Sequence, residues 1–321
     1  MNESTLFQED FYWITRNRKA IYSWLGDNGH RFFDRILKND WPFLFHPKGY
    51  HGFGISGNVL SLLLHGQLFE NPLLDLMVKA IVRAESRLCS RFLPQRSHEE
   101  RLTGNLVSEI DSAFFLIREK FRILSQERYG ESKVIDFYYY DLSRGGKAEK
   151  ITGADLGLIF VLDLPDLPFM VRSLRLQAKK VYETSQIDLA QYHTFTSSGD
   201  EDSAYLFYDM SPKTYCAPIV YPAKSMISYA KSAEEKSNKS FSLSYDNILN
   251  GIPLSLFAYQ ILSTGTSSLE HSRFKDAYRY FAQQMPQYEE DNCLGSRVAV
   301  VSLGRPISIG FNSDGGLELN V

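Results

Sequence analysis

The chain of 321 residues is 44% hydrophobic and 14% aromatic, enough apolar side chain for one large or two modest domains. Its formal net charge of −3 argues against a protein that coats nucleic acid over its whole surface, but it is compatible with a local basic channel. The three cysteines lie far apart and form no Cys-x-x-Cys pair, so we expect neither a zinc ribbon nor a disulfide framework.

Two features of the sequence bear on localisation. No apolar run approaches the roughly 18 to 20 residues that a membrane-spanning helix needs. The first residues, MNESTLFQEDFYW, lack the basic start and apolar segment of a signal peptide. We therefore expect a cytoplasmic protein without a membrane partner.

Residues 1–95 are predicted to form a mainly helical N-terminal region. Within it, Gly52 to Gly57 (GFGISG) matches the GxGxxG pattern of dinucleotide-binding loops. That function needs a strand directly before the loop, and residues 46–51 (HPKGYH) do not resemble one. The pattern therefore favours a loop that leads into a helix, and a nucleotide-dependent enzyme is left as an alternative.

A second helical segment is predicted from Asn71-Pro72, an N-cap followed by proline at the first helical position, to about Phe92. Arg83, Arg87 and Arg91 recur every four residues and line one face of this helix. The three arginines are candidates for contacts with nucleic-acid phosphates. The alternative is an ordinary solvated face that pairs with nearby acids such as Glu85.

The next helix is predicted to start at a capping box formed by Ser97 and Glu100. Glu109 lies on or beside its apolar stripe, which comprises Leu106, Ile110, Ala113, Ile117 and Phe121. A carboxylate that faces a core is costly unless it is paired or bound to a metal. Glu109 is therefore a candidate ligand, unless it reaches solvent or pairs with an arginine.

Three strands are predicted after this helix, at 134–142, 156–162 and 172–181, followed by a helix at 185–195 and a strand at 204–209. Asp155 opens the second strand. On the third strand, Gln177 and Lys179 alternate with apolar residues, so both side chains point to the same face. The pattern predicts a small polar site on a hydrophobic sheet.

These residue types suit metal-assisted hydrolysis of a phosphodiester bond. Asp155 and Glu109 supply the hard oxygen ligands that Mg²⁺, or Mn²⁺, prefers, and Gln177 can add its amide oxygen. A bound metal stabilises the charge that develops on the phosphate and provides a more acidic water. Lys179 would stabilise charge on the phosphate or orient the attacking water.

Glu109, then Gly153-Ala154-Asp155, then Gln177-Ala178-Lys179 resembles the motif of the PD-(D/E)xK nuclease superfamily, in the variant of Mrr-type restriction endonucleases where glutamine replaces the second acid. The resemblance implies an α/β fold with a restriction-endonuclease-like αβββαβ core. It also implies an Mg²⁺-dependent endonuclease that cleaves DNA and defends against foreign DNA. Ala154 stands where the motif usually has proline.

On this interpretation, residues 96–225 form the nuclease-like core and residues 226–321 an α+β C-terminal extension. In the extension we expect an exposed loop at 231–242 and a terminal hairpin of 297–303 with 306–311. Arg172 and Arg175 join the three helix arginines as candidates for nucleic-acid contacts.

The sequence leaves several alternatives open. RNA is not excluded as the substrate, and a homodimer or a regulatory partner protein is compatible with the chain. The main alternative to an enzyme is a non-catalytic nucleic-acid-binding or protein-interaction module on a nuclease-like fold.

Overall fold

The computed structural model of the protein describes residues 71–95, 97–141, 154–197, 201–210, 217–248, 251–264, 268–283, 297–306, 308–311 and 317–320. The Gly52 to Gly57 motif and all of the predicted helical region before residue 71 lie outside the described residues.

The described part of the chain is a mixed α/β structure. In chain order its elements are α1 (Pro72–Arg91), α2 (Glu99–Tyr129), β1 (Ile135–Asp141), β2 (Leu156–Leu162), β3 (Met170–Val181), β4 (Thr184–Asp188), α3 (Leu189–Ser197), β5 (Ser203–Asp209), β6 (Ile219–Pro222), α4 (Ile227–Glu235), β7 (Ser240–Ser244), α5 (Tyr245–Ile248), β8 (Ile252–Pro253), α6 (Leu254–Thr264), β9 (Leu269–His271), α7 (Phe274–Gln283), β10 (Arg297–Leu303), β11 (Ser308–Phe311) and β12 (Leu317–Asn320). None of the helices among these described residues combines the length and apolar character that crossing a membrane requires.

An eight-stranded mixed sheet organises the described residues, with the order β1-β10-β2-β3-β5-β6-β8 and β9 paired to β3. Strand β3 runs antiparallel to β2 and parallel to β5, and the connection between β3 and β5 contains helix α3. The long strand β3 therefore lies between β2 and β5 and supplies the centre of the sheet.

One face of the sheet packs against helices α1, α2 and α6 in a single hydrophobic cluster. The β2 and β3 side chains of this face, such as Leu158 and Leu176, contact apolar residues of α1, α2 and β10 within the same cluster. Because α1 and β10 belong to this core, the predicted domain boundaries at 95/96 and 225/226 fall inside it. A fragment of residues 96–225 would lose part of its own core.

Two smaller clusters cover the opposite face. Helix α7 places Phe274, Tyr278 and Phe281 over apolar residues of β2 and β10. Helix α3 and the two-stranded sheet of β4 and β7 pack over β5, with Tyr192 and Phe241 among the buried side chains. The polar face of β3 therefore lies beneath helices and not in open solvent.

The predicted terminal hairpin is not the one that the structure contains. Strand β10 lies between β1 and β2 in the large sheet, and β11 pairs with β12. The segment Val298 to Leu303 is buried throughout, which is typical of an inner strand. After it, Gly304 adopts a φ of 113° beside the backbone of Asp163, which leaves no space for a side chain.

Two further predictions need correction. The predicted loop at 231–242 contains the last turns of α4 and the start of β7, and the predicted helix at 185–195 begins as strand β4. In both strands alternate residues are buried, Ser185 and Ile187 in β4, and Phe241 and Leu243 in β7. Each strand has only five residues, so its period-two pattern is too short to stand out from the polar sequence around it.

The helix starts follow the sequence only in part. Asn71 is confirmed as an N-cap, since its Oδ1 accepts hydrogen bonds from Leu73 N at 2.9 Å and Leu74 N at 3.2 Å. Helix α2 instead begins after His98, which makes no side-chain capping bond, so the predicted capping box is not formed.

Glu85 joins helices α1 and α6 through a buried carboxylate. Its Oε1 accepts a hydrogen bond from Ser255 N at 3.0 Å and its Oε2 from Ser255 Oγ at 2.7 Å. Ser255 lies in the first turn of α6, where the helix dipole favours a negative charge. The pair therefore fixes the start of α6 against the core.

We expect Glu85→Gln to lower the free energy of unfolding by about 2 kcal/mol, because a buried charge-assisted hydrogen bond is lost. Urea denaturation measures the change. Glu119→Gln is the matched control, since Glu119 pairs with Arg122 on the solvent side of α2 and its loss should be barely measurable. Equal effects of the two variants would contradict a structural role for the buried carboxylate.

Candidate active site at the end of strand β3

Asp155 and Gln177 are neighbours across strands β2 and β3. Leu156 pairs with Leu176, so Asp155 lies beside Gln177 at the end of β2, and Asp155 N donates to Leu176 O at 2.9 Å. The alternation of apolar and polar residues along β3 fixes this register, because a slip of β3 by one residue would turn its polar side chains to the core.

The Asp155 carboxylate is bound by β3. Its Oδ2 accepts hydrogen bonds from Gln177 Nε2 at 2.6 Å and from Ala178 N at 2.7 Å. Gln177 is 1% exposed, and its Oε1 has no hydrogen-bond partner among the described residues. A buried amide oxygen without a partner is costly and is typical of a site that binds something.

Lys179 lies two residues further along β3, on the same face as Gln177. Its Nζ donates a hydrogen bond to Gln191 Oε1 on α3 at 2.8 Å. The start of α3 is in turn fixed by Asp188, whose Oδ1 accepts from Gln191 N at 2.9 Å. The structure therefore brings together three of the predicted residues, Asp155, Gln177 and Lys179, and adds Gln191.

Tyr205 is a further residue that the sequence did not indicate. It pairs in register with Gln177 from the neighbouring strand β5 and is fully buried. Burial raises the pKa of its hydroxyl, and the nearby Tyr192, Asp155 and Asp188 raise it further, so the group stays protonated. The hydroxyl has no hydrogen-bond partner among the described residues.

Glu109 lies elsewhere, between α1 and α2. Its Oε2 accepts a hydrogen bond from Arg87 Nε, and its Oε1 is 3.7 Å from Arg91 NH1. The carboxylate is buried, and these arginines balance its charge. In the described contacts Glu109 is not brought to Asp155, and pairing with arginine accounts for its position on the apolar stripe.

A different acid of helix α2 reaches the end of β3. Glu99 Oε1 accepts a hydrogen bond from Lys180 N at 2.9 Å. The N–H groups of Ala178 and Lys180 point to the same edge of β3, so the carboxylates of Asp155 and Glu99 lie about 7 Å apart along the strand. Glu109 is ten residues further on, about 15 Å along the helix axis.

The buried Arg175 is not available to nucleic acid. Its NH2 group lies 3.1 Å from Asp202 Oδ1 and 2.6 Å from Ser203 Oγ. The rings of Phe195 and Tyr280 lie 5.6 and 6.0 Å from the guanidinium carbon. The prediction of a nucleic-acid contact at Arg175 is wrong, because alternation along β3 does not show which face helices cover.

The other predicted basic residues are paired to different degrees. Arg172 NH2 lies 2.6 Å from Glu270 Oε2 on strand β9. Of the three arginines on helix α1, Arg83 and Arg87 are half-buried, while Arg91 keeps 53% of its side chain exposed. Their contacts with nucleic acid stay a prediction, which the pairing of Arg87 and Arg91 with Glu109 weakens.

The side chains at the end of β3 offer a metal ion only a few oxygen ligands. Among the described residues, no three histidine, cysteine, aspartate or glutamate side chains form a metal-binding group. Mg²⁺, however, keeps several waters and needs only one or two carboxylates. The unpartnered Gln177 oxygen fits this set, because rotating the amide by 180° would place Oε1 beside the Asp155 carboxylate, so that two oxygens face one cation.

Comparison with protein-family models, with curated proteins and with solved structures gives no match for this chain. The chemistry of the site at the end of β3 therefore has to carry any functional conclusion.

Two buried tyrosines of β5 test whether the Tyr205 hydroxyl lacks a hydrogen-bond partner. We expect Tyr205→Phe to raise the free energy of unfolding by about 1 kcal/mol, because it removes a buried hydroxyl without a partner. Tyr208→Phe is the matched control, since the Tyr208 hydroxyl lies 3.0 Å from Thr103 Oγ1, and its loss should cost about 1 kcal/mol.

Urea denaturation of the two variants gives the comparison. If Tyr205→Phe destabilised the protein as much as Tyr208→Phe does, the Tyr205 hydroxyl would have a protein partner and would not be available to a ligand.

Proposed function

We propose that this protein is an endonuclease that hydrolyses phosphodiester bonds of DNA with Mg²⁺ or Mn²⁺. The observation that carries the proposal is the group of Asp155, Gln177 and Lys179 on one end of β3, with a buried amide oxygen that lacks a partner. Oxygen ligands beside a cationic side chain suit the binding of a metal and a phosphate together.

The order of elements supports the same proposal. Helix α2, strands β1, β2 and β3, helix α3 and strand β5 follow one another as in the αβββαβ core that the sequence resemblance implies. Two features depart from a minimal version of that core. A short strand, β4, precedes α3, and β10 from the C-terminal third lies between β1 and β2.

The chain's residues would act on the phosphate in distinct ways. Asp155 and the Gln177 oxygen would hold the metal, which when bound supplies positive charge and a more acidic water. Lys179 would donate from Nζ to a phosphate oxygen and stabilise its growing negative charge. Gln191 would hold Lys179 in position, and the protonated Tyr205 would donate a hydrogen bond within the site.

Glu99 is the better candidate than Glu109 for the acid that helix α2 contributes. Its carboxylate already lies at the same edge of β3 as Asp155, whereas Glu109 is bound by arginines. At about 7 Å from Asp155, Glu99 would hold a water bound to the metal and not the metal itself.

The preference for DNA and a role in defence against foreign DNA rest on the sequence resemblance alone. RNA is therefore a second arm of the test. If the amide nitrogen of Gln177 stays permanently hydrogen-bonded to the Asp155 carboxylate, the two side chains would not hold a metal. We would then expect a binding module without catalysis.

Cleavage of supercoiled plasmid in Mg²⁺ or Mn²⁺ tests the proposal. We expect metal-dependent nicking by the wild type, lost by about 100-fold or more in Asp155→Asn and Lys179→Met. The first substitution weakens the binding of the metal, and the second removes positive charge at the reacting phosphate. Chelation of the metal should stop the reaction, and RNA should be cut more slowly.

Two further variants separate the helix acids. Glu99→Gln should lower the cleavage rate about tenfold, which is typical of an outer-sphere partner of a metal. Glu109→Gln should mainly change the stability of the protein and have less effect on the rate at which the folded protein cleaves DNA. If the wild type binds DNA without nicking it, the result would favour the non-catalytic module. If the wild type neither binds nor nicks DNA, the proposal is overturned.

A further inference from the structure

A second polar site lies between helix α4 and the small sheet of β4 and β7. It is an open groove of about 490 Å³, here called the α4 groove. Its polar lining includes Gln186, Tyr229, Ser232, Lys236, Asn238 and Lys239. None of these residues belongs to the site at the end of β3.

The lining of the α4 groove suits a charged, hydroxyl-rich ligand. Lys236 and Lys239 are exposed at the groove, and hydroxyl and amide side chains surround them. Ala233 and Phe241 form its buried apolar base. Pockets for drug-sized ligands are mostly apolar, whereas lysine, serine and amide side chains are the usual partners of nucleic-acid phosphates and sugars.

The turn that carries the lysines is held in an unusual conformation. Ser237 has a φ of 55°, in the left-handed region that favours glycine. Ser237 N bonds to Glu234 O at 2.8 Å and Asn238 N to Ala233 O at 2.9 Å, the pattern of a Schellman helix end. This turn fixes the backbone of Lys236 and Asn238 on both sides of the strained residue, next to the groove.

Strand β4 links the groove to the candidate active site. Gln186 lines the groove on strand β4, and Asp188, two residues later on β4, caps the helix turn that holds Gln191. Gln191 binds Lys179. A strand of nucleic acid that placed a phosphate at Lys179 would therefore have the α4 groove nearby for its neighbouring nucleotides. The acid Glu234 of α4 lies 2.7 Å from His193 on α3 and does not line the groove.

We propose that the α4 groove binds the sugar-phosphate backbone of a nucleic-acid strand next to the bond to be cleaved, with Lys236 and Lys239 each contacting a phosphate. This proposal rests on the proposed function in taking nucleic acid as the substrate, but it concerns binding and needs no catalysis.

Binding of fluorescein-labelled 20-nucleotide single-stranded DNA and its duplex to the full chain tests the groove. Fluorescence anisotropy is measured in EDTA over a range of NaCl concentrations, so that no cleavage occurs. We expect Lys236→Ala/Lys239→Ala to weaken binding about tenfold at low salt and to reduce the slope of log K against log salt by about 2, one for each lost phosphate contact.

Two further variants separate the effect of net charge from the effect of the groove itself. Lys224→Ala/Lys231→Ala removes the same charge from exposed lysines outside the groove, and should change the slope by less than about 0.5. Ser242→Trp fills the groove without changing charge, and should weaken binding about tenfold by excluding the strand.

The outcomes separate this proposal from the nuclease proposal. The groove proposal is overturned if the two double lysine variants weaken DNA binding equally, or if Lys236→Ala/Lys239→Ala binds DNA as well as the wild type does. Either result counts even if the wild type cuts DNA. Groove-dependent binding without any cleavage would support the groove and overturn the catalytic role. A wild type that neither binds nor cuts nucleic acid would overturn both.

Discussion

The buried polar row on strand β3 is the feature on which the rest of the structure depends. One face of the strand presents Leu174, Leu176 and Ala178 to the core, and the other presents Ser173, Arg175, Gln177 and Lys179 beneath covering helices.

Each buried polar group needs a partner, because leaving one unpaired costs about 1–3 kcal/mol. Ser173 has His271 at 2.8 Å, Arg175 has Asp202 and Lys179 has Gln191. Gln177 is paired through its nitrogen alone, and this defines where a ligand would bind.

The C-terminal third completes this arrangement. Strand β10 lies between β1 and β2, and its first residue, Arg297, lies 3.7 Å from Glu100 beside Glu99. Strand β9 supplies His271 and Glu270 to β3, and helix α7 covers the same face. The candidate site therefore depends on segments more than 100 residues apart in the sequence, and it is best studied in the full chain.

The sequence predicted the local elements of the site well. The apolar run Leu156 to Leu162 and the alternation of β3 gave both strands and placed Asp155, Gln177 and Lys179, because strand periodicity determines which side chains share a face. It did not predict that β10 inserts into the sheet, that Arg175 is covered or that Glu99 reaches β3. These features depend on pairing between distant segments, and local patterns carry no information about which distant segment arrives.

The most direct test of the account is binding of Mn²⁺ to the full chain, measured by electron paramagnetic resonance. We expect one Mn²⁺ site that Asp155→Asn weakens at least about tenfold and that Gln177→Glu strengthens by about tenfold, because ligand charge determines the affinity for a hard cation. Gln177→Glu is the decisive variant, since it replaces the amide nitrogen that binds Asp155 with a carboxylate oxygen and leaves the size of the side chain almost unchanged. Absence of Mn²⁺ binding by the wild type, or binding that neither substitution changes, would contradict the account.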